Sequence, residues 1–255
     1  MVKYVDYTPG LTVNGMLKFS SNSPLTISGV LTGLEPSTSG GGHVHSGFSC
    51  TDAAGAGGHY YDGLGSDPWC SDCVKWYSDA KGVAVVSLTM KDFTLDPAGP
   101  RYVGGRTVVV HASGGTKVAC GVIEPLAGAE VVMMGGFPGY SGSETVRGIL
   151  LKRDAKSSQA YSDDVPYNHA IAVTGILTGL PTSEQGSVHV HNGVTCDPGL
   201  NKVNLDPALK HFRAANGFDP WLSPSISWTA DGNGVATGDL NAPGLSVYGA
   251  QAAYG

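Results

Sequence analysis

The chain has 255 residues, enough for one large domain or two of ordinary size. A formal charge of −6 and a pI near 5.7, with no cluster of Lys or Arg, leave no electrostatic footprint for nucleic acid. No apolar run approaches the roughly 18–20 residues of a membrane-spanning helix, and 38 glycines with a charged fraction of only 14% point to an all-β chain with many turns.

The first strands are short and separated by turn residues. Apolar runs at 2–5, 12–19 and 25–31, rich in β-branched residues and broken by Gly, Pro, Asn and Ser, predict antiparallel strands. The N-terminus lacks the basic and apolar regions of a signal peptide, so the chain is either cytosolic or has lost its signal. A glycine-rich loop, 34–42, leads into Gly42-His43-Val44-His45, followed by Cys50. On a strand, residues i and i+2 share a face, so His43 and His45 present two imidazoles side by side. Residues 51–80 carry no periodicity and are predicted to form one long ordered loop with no helix. Strands are predicted again at 82–88 and 106–111, the latter ending in His111, and at 117–123 around Cys120.

Much of this order recurs. Gly29, Gly33, His43, His45 and Cys50 correspond to Gly175, Gly179, His189, His191 and Cys196, each 146 residues later. His59, Asp67-Pro68-Trp69 and Gly82-Val83-Ala84 correspond to His211, Asp219-Pro220-Trp221 and Gly234-Val235-Ala236, each 152 later. The partners of His111 and Cys120 would fall beyond Gly255, so the second repeat lacks its last strand and Cys196 is left as the odd cysteine. Placing Leu245–Gln251 opposite 106–113 restores a strand but neither the histidine nor the cysteine. The boundary is placed after residue 127. Domain 1–127 is expected to be complete and 128–255 degenerate and C-terminally incomplete.

His43, His45, His59 and His111 are the histidines of the first repeat, an all-nitrogen donor set that suits copper in either oxidation state. The motifs around them, Gly42-His43-Val44-His45, Gly58-His59, Gly82-Val83-Ala84, Gly105-Arg106-Thr107-Val108-Val109-Val110-His111 and Ala119-Cys120-Gly121-Val122-Ile123, resemble the copper-zinc superoxide dismutase family. The resemblance covers most of residues 1–125 and, more weakly, 128 to about 250. It implies two tandem antiparallel Greek-key β-sandwiches, the second without its last strand. It also implies copper at His43, His45, His59 and His111, with His59 in the bridging position, and a Cys50–Cys120 disulfide.

The departures from that pattern are informative. Between His59 and Gly82 no further histidine occurs and Asp72 alone survives of a zinc ligand set, so no zinc is expected. His59 would then turn its second nitrogen to solvent. The short segment between His111 and Cys120 resembles the copper-only branch, and Lys117 stands where the family's anion-guiding arginine does, keeping the charge without the guanidinium fork. Cys70-Ser71-Asp72-Cys73 is expected to close a local disulfide, with free thiols or metal ligation as alternatives. His189, His191 and His211 match three of the four ligands, a weak second site at which a catalytic copper would need a donor from elsewhere, in a domain expected to be retained for its architecture. His169 is read as structural, and Asp67-Pro68-Trp69 as a turn with a packing aromatic.

Two functions follow from this reading. One is a secreted copper-binding, dismutase-like repeat protein, with superoxide as substrate if the first repeat is active. The other is a structural subunit of an extracellular filament or matrix, assembled by strand complementation. In that case self-association, or a following repeat or chain, completes the second sandwich and provides a partner for Cys196.

Overall fold

The computed structural model describes residues 1–8, 10–20, 24–70, 73–126, 129–136, 140–156, 169–191, 211, 219–222 and 226–243. Cys196, Asp72 and the 245–251 strand lie outside them. The chain separates into two compact units, Met1–Pro125 and Leu126–Gly255. It is all-β, with antiparallel sheets.

In the first unit β2 (Asn14–Ser20), β3 (Leu25–Thr32) and β6 (Ala84–Met90) form a three-stranded sheet in the order β2-β3-β6. A five-stranded sheet runs β1-β8-β7-β4-β5, from β1 (Val2–Lys3), β8 (Lys117–Val122), β7 (Thr107–His111), β4 (Ser39–Val44) and β5 (Lys75–Tyr77). The order of neighbours departs from the order in sequence, so chain crossovers between the sheets bring β4 and β7 together. This antiparallel two-sheet arrangement is the sandwich type expected from the sequence.

Burial follows from strand position. The Val108-Val109-Val110 run lies in β7, in the middle of its sheet, and every residue of that strand is buried. A continuous apolar run of this length suits a strand covered on both faces. β3 contributes Leu25, Ile27, Val30 and Leu31, and Trp69 and Phe93 pack in the same core as a tilted pair with ring centroids 4.9 Å apart.

Residues 51–80 are less uniform than the sequence predicts. A four-residue helix, α1 (Ala53–Ala56), is capped by Asp52, whose carboxylate accepts from the Gly55 N–H at 2.6 Å, and β5 follows at the far end. Four helical residues are too few to produce a 3.6-residue pattern, so a local cap decides the turn. Cys70 and Cys73 form a disulfide, and a second joins Cys50 to Cys120 across a sequence separation of 70 with Cα atoms 5.8 Å apart. Cys120 lies opposite Val109, the residue that pairs with His43, so the second bridge ties the loop after β4 to the strand behind the histidine cluster.

The second unit contains a four-stranded sheet in the order β14-β11-β10-β9, made of β14 (Ala236–Pro243), β11 (His169–Thr178), β10 (Arg147–Lys156) and β9 (Ala129–Met134). A two-stranded pair joins β12 (Gln185–Ser187) to β13 (Ser227–Thr229). Leu150, Ile171, Val173, Trp221 and Ile226 form its core. Gly234 repeats the role of Gly82. Each has φ near +70°, and a Cβ there would stand 2.3 Å from the carbonyl oxygen of Leu180 or Leu34 respectively.

Replacing both Cys50 and Cys120 by Ala should lower the unfolding free energy of the first unit by about 4 kcal/mol, as chain entropy gives for a loop of this size. Urea unfolding of the two proteins, followed by tryptophan fluorescence, measures the difference.

Candidate metal centre

His43 sits on β4, paired with Val109 of β7, and His45 follows immediately in an isolated antiparallel bridge with His59. His111 ends β7, where the β7–β8 register shifts between Val110 and His111. Such an irregularity re-aims a side chain at the end of a ladder. The donor nitrogens of the four histidines lie within 4.8 Å of one another. His43, His45 and His111 are buried, while His59 keeps a quarter of its side chain exposed.

The hydrogen bonds assign the protons. His45 Nδ1 is 2.9 Å from the Gly57 carbonyl oxygen, and His111 Nδ1 is 2.9 Å from that of Gly115. A carbonyl can only accept, so each Nδ1 carries hydrogen and each Nε2 presents a lone pair. His59 Nδ1 donates to Asp67 Oδ2 at 2.6 Å, which leaves the His59 Nε2 lone pair 3.0 Å from His43 Nδ1. His45 Nε2 and His111 Nε2 face each other at 3.3 Å, two acceptors with no proton between them. A cation resolves that repulsion, and nitrogens each ~2.0 Å from a shared ion are held about 3 Å apart. The donor set therefore fits a metal that prefers imidazole, presented by the Nε2 atoms of His45, His59 and His111, with His43 Nδ1 joining them once its hydrogen, which otherwise points at His59 Nε2, is moved to the unpartnered Nε2.

The electrostatics keep His43, His45 and His111 deprotonated. Burial, joined by the mutual repulsion of His111, His59 and His45, lowers the pKa of His43 to about 3. Burial likewise lowers that of His45 to about 4 against the opposing Gly57 carbonyl, and moves His111 down as well. Lys117 Nζ donates to the same Gly57 oxygen at 3.3 Å and adds its positive charge to the depression of His45 and His111.

Two residues overlooked in the sequence support the cluster. The sequence places His59 Nδ1 in solvent, whereas the Asp67 carboxylate holds it. Burial raises the Asp67 pKa, but its hydrogen bonds to His59 and to the Trp69 N–H outweigh this, and the carboxyl stays below its usual value. The Trp69 N–H donates to Asp67 Oδ1 at 2.8 Å, and the fully buried indole donates to the Tyr60 carbonyl. Asp67-Pro68-Trp69 is thus more than a turn. Its recurrence at 219–221, eight residues after a histidine in both places, was the available signal. Glu35 is the other residue. Its carboxylate accepts from the Ser113 N–H and hydroxyl at 2.7 and 2.8 Å, holding the loop whose Gly115 carbonyl orients His111.

His189, His191 and His211 also converge, with donor atoms within 4.8 Å, and His211 Nδ1 donates to Asp219 Oδ2 at 3.0 Å. Burial, then the charges of His211 and His191, lower the pKa of His189. His169 starts β11.

Residues 13–123 match the copper/zinc superoxide dismutase family. The match runs from just before β2 to just beyond β8 and supports that family for the first unit. All four histidines of the buried cluster fall inside the dismutase match, as do both bridged cysteine pairs. No helix among the described residues is long and apolar enough to cross a membrane.

Gly41 makes room for His43, since a Cβ there would lie 2.5 Å from the ring Nε2. Gly41→Ala should push His43 out of the cluster and weaken metal affinity at least tenfold in competition with a chelator, while far-UV circular dichroism stays unchanged. The metal-free first unit should lose stability as pH falls from about 6.5 toward about 3. The unfolded histidines then bind protons that buried His43 and His45 refuse, so the stability present above pH 6.5 is lost on the acid side. Urea midpoints measured at pH 7 and pH 4.5 report this slope, which a His43→Leu variant should flatten.

Proposed function

We propose that the first unit is a copper-only site for superoxide dismutation in a secreted protein, with His43, His45, His59 and His111 as the ligands. The facing lone pairs of His45 and His111, buried inside a stretch that matches the dismutase family, are the observation that carries this reading. Copper held there supplies the one-electron chemistry that converts one superoxide to dioxygen and another to peroxide.

The chain's own groups have distinct tasks. The Gly57 and Gly115 carbonyls hold His45 and His111 in the tautomer that presents Nε2. Asp67 does the same for His59 and engages the nitrogen that would otherwise face a second metal, which favours copper without zinc. His59, a quarter exposed and with its proton on the Asp67 side, gives the cluster its opening toward solvent. Lys117 supplies a positive charge beside His45 and His111 and draws in the superoxide anion. The Cys50–Cys120 and Cys70–Cys73 disulfides accord with an oxidising compartment and hence with secretion.

The second reading, a structural subunit assembled by strand complementation, draws on the β12–β13 pair. These strands form a two-stranded sheet among the described residues, whereas β4 and β5 sit in a five-stranded one. A strand from another chain or a following segment would extend the pair, and Cys196 would bond outside this chain.

Purified chain loaded with copper should hold one tightly bound ion lost on His111→Ala, and should consume superoxide catalytically in pulse radiolysis. Lys117→Ala should lower the rate several-fold and flatten its dependence on ionic strength. Tight copper without superoxide turnover would leave the assembly reading in its place.

A further inference from the structure

We propose that the second unit carries a metal site of its own, in which His189, His191 and His211 hold a divalent, imidazole-preferring cation, Zn²⁺ or Cu²⁺, with one coordination position open to an outside ligand. It is a separate site and does not depend on dismutation in the first unit.

Geometry brings the three rings together. His191 and His211 face across an isolated antiparallel bridge, and the His189 and His211 ring centroids are 4.3 Å apart. Their donor atoms lie within 4.8 Å of one another. A second observation is the acceptor behind His211. Asp219 is largely buried, its Oδ2 and Oδ1 lie 3.0 and 3.2 Å from His211 Nδ1, and Oδ1 also accepts from the Trp221 N–H at 3.1 Å. The carboxylate fixes the proton on Nδ1 and turns the Nε2 lone pair of His211 toward the other two rings. A carboxylate behind a histidine is the support that metal ligands usually have, and it raises the ligand's basicity. With Trp221 buried in the core, the Asp219 turn is anchored to the fold.

The site differs from the first in ways that set its chemistry. No histidine lies between His211 and Gly255, and among the described residues the imidazole that His111 gives the first cluster has no counterpart. His191 is exposed and His189 and His211 are half-buried, where His43, His45 and His111 are buried. Ser187 occupies the place of Gly41, the position where a Cβ would meet His43 in the first unit. Three imidazoles with an accessible fourth position bind zinc or copper(II) while keeping room for water, an anion or a donor from another molecule. The second ion is therefore the more weakly held and exchanges faster.

Full-length chain titrated calorimetrically with Zn²⁺ and, separately, Cu²⁺ should take up two ions with at least one of these metals. The weaker event should vanish in His211→Ala and persist in His45→Ala. Asp219→Asn should weaken that event by about 10–100-fold, which keeps the test available should His211→Ala fail to fold. Imidazole added to copper-loaded His45→Ala protein should change its electron paramagnetic resonance spectrum, as an open position requires. Uptake of a single ion with both metals, a second ion retained without His211, an unchanged affinity in Asp219→Asn, or a spectrum indifferent to imidazole would each overturn the proposal.

Discussion

The first unit is organised by where three imidazole protons go. Two are committed to backbone carbonyls and one to a carboxylate, so lone pairs converge on a space of a few ångströms from which water is largely excluded. Such an arrangement is unstable without a cation, and the rest of the unit holds it in place. β4 and β7 supply rigid platforms, the bulge at His111 aims its ring, and a loop closed by a disulfide brings Gly57 and His59 over the pair on β4. Rigidity matters because relaxed rings would rotate to find solvent, and the preorganised geometry would be lost.

The two histidine clusters share an H-x-H pair at or just beyond the end of a short strand, an isolated bridge from its second histidine to the third, and a carboxylate behind that third histidine. In the first, the neighbouring strand β7 adds a fourth ring, His111, and three of the four rings are buried. Among the described residues the second has no fourth ring, and its His191 ring is exposed. One local sequence pattern thus gives a sealed site or an open one according to what the neighbouring strand contributes.

Much of this was legible in the residues. Alternating and continuous apolar runs located β2, β3, β6, β7 and β8 to within two or three residues, since these strands carry the core and their pattern reports burial directly. The histidine pairs and the fixed offset between repeats exposed both clusters. What escaped depends on loop closure. Asp67 reads as a turn residue because its second bond, to His59, exists only once Trp69 is seated in the core, and no periodicity encodes that. Glu35 lies 78 residues from Ser113, a contact visible only in three dimensions. Helix α1 is a single capped turn, below the length at which a pattern can form.

The Gly57 carbonyl accepts from His45 Nδ1 and from Lys117 Nζ at once. One backbone oxygen therefore divides its electron density between a ring of the cluster and the nearby ammonium. Changing the lysine alters not only the long-range field but also how strongly His45 is pulled upon, and with it that ring's donor strength. If the proposed dismutation holds, attraction of the anion and the potential of a bound copper would be joined at this peptide, and neither could be tuned alone without passing through it.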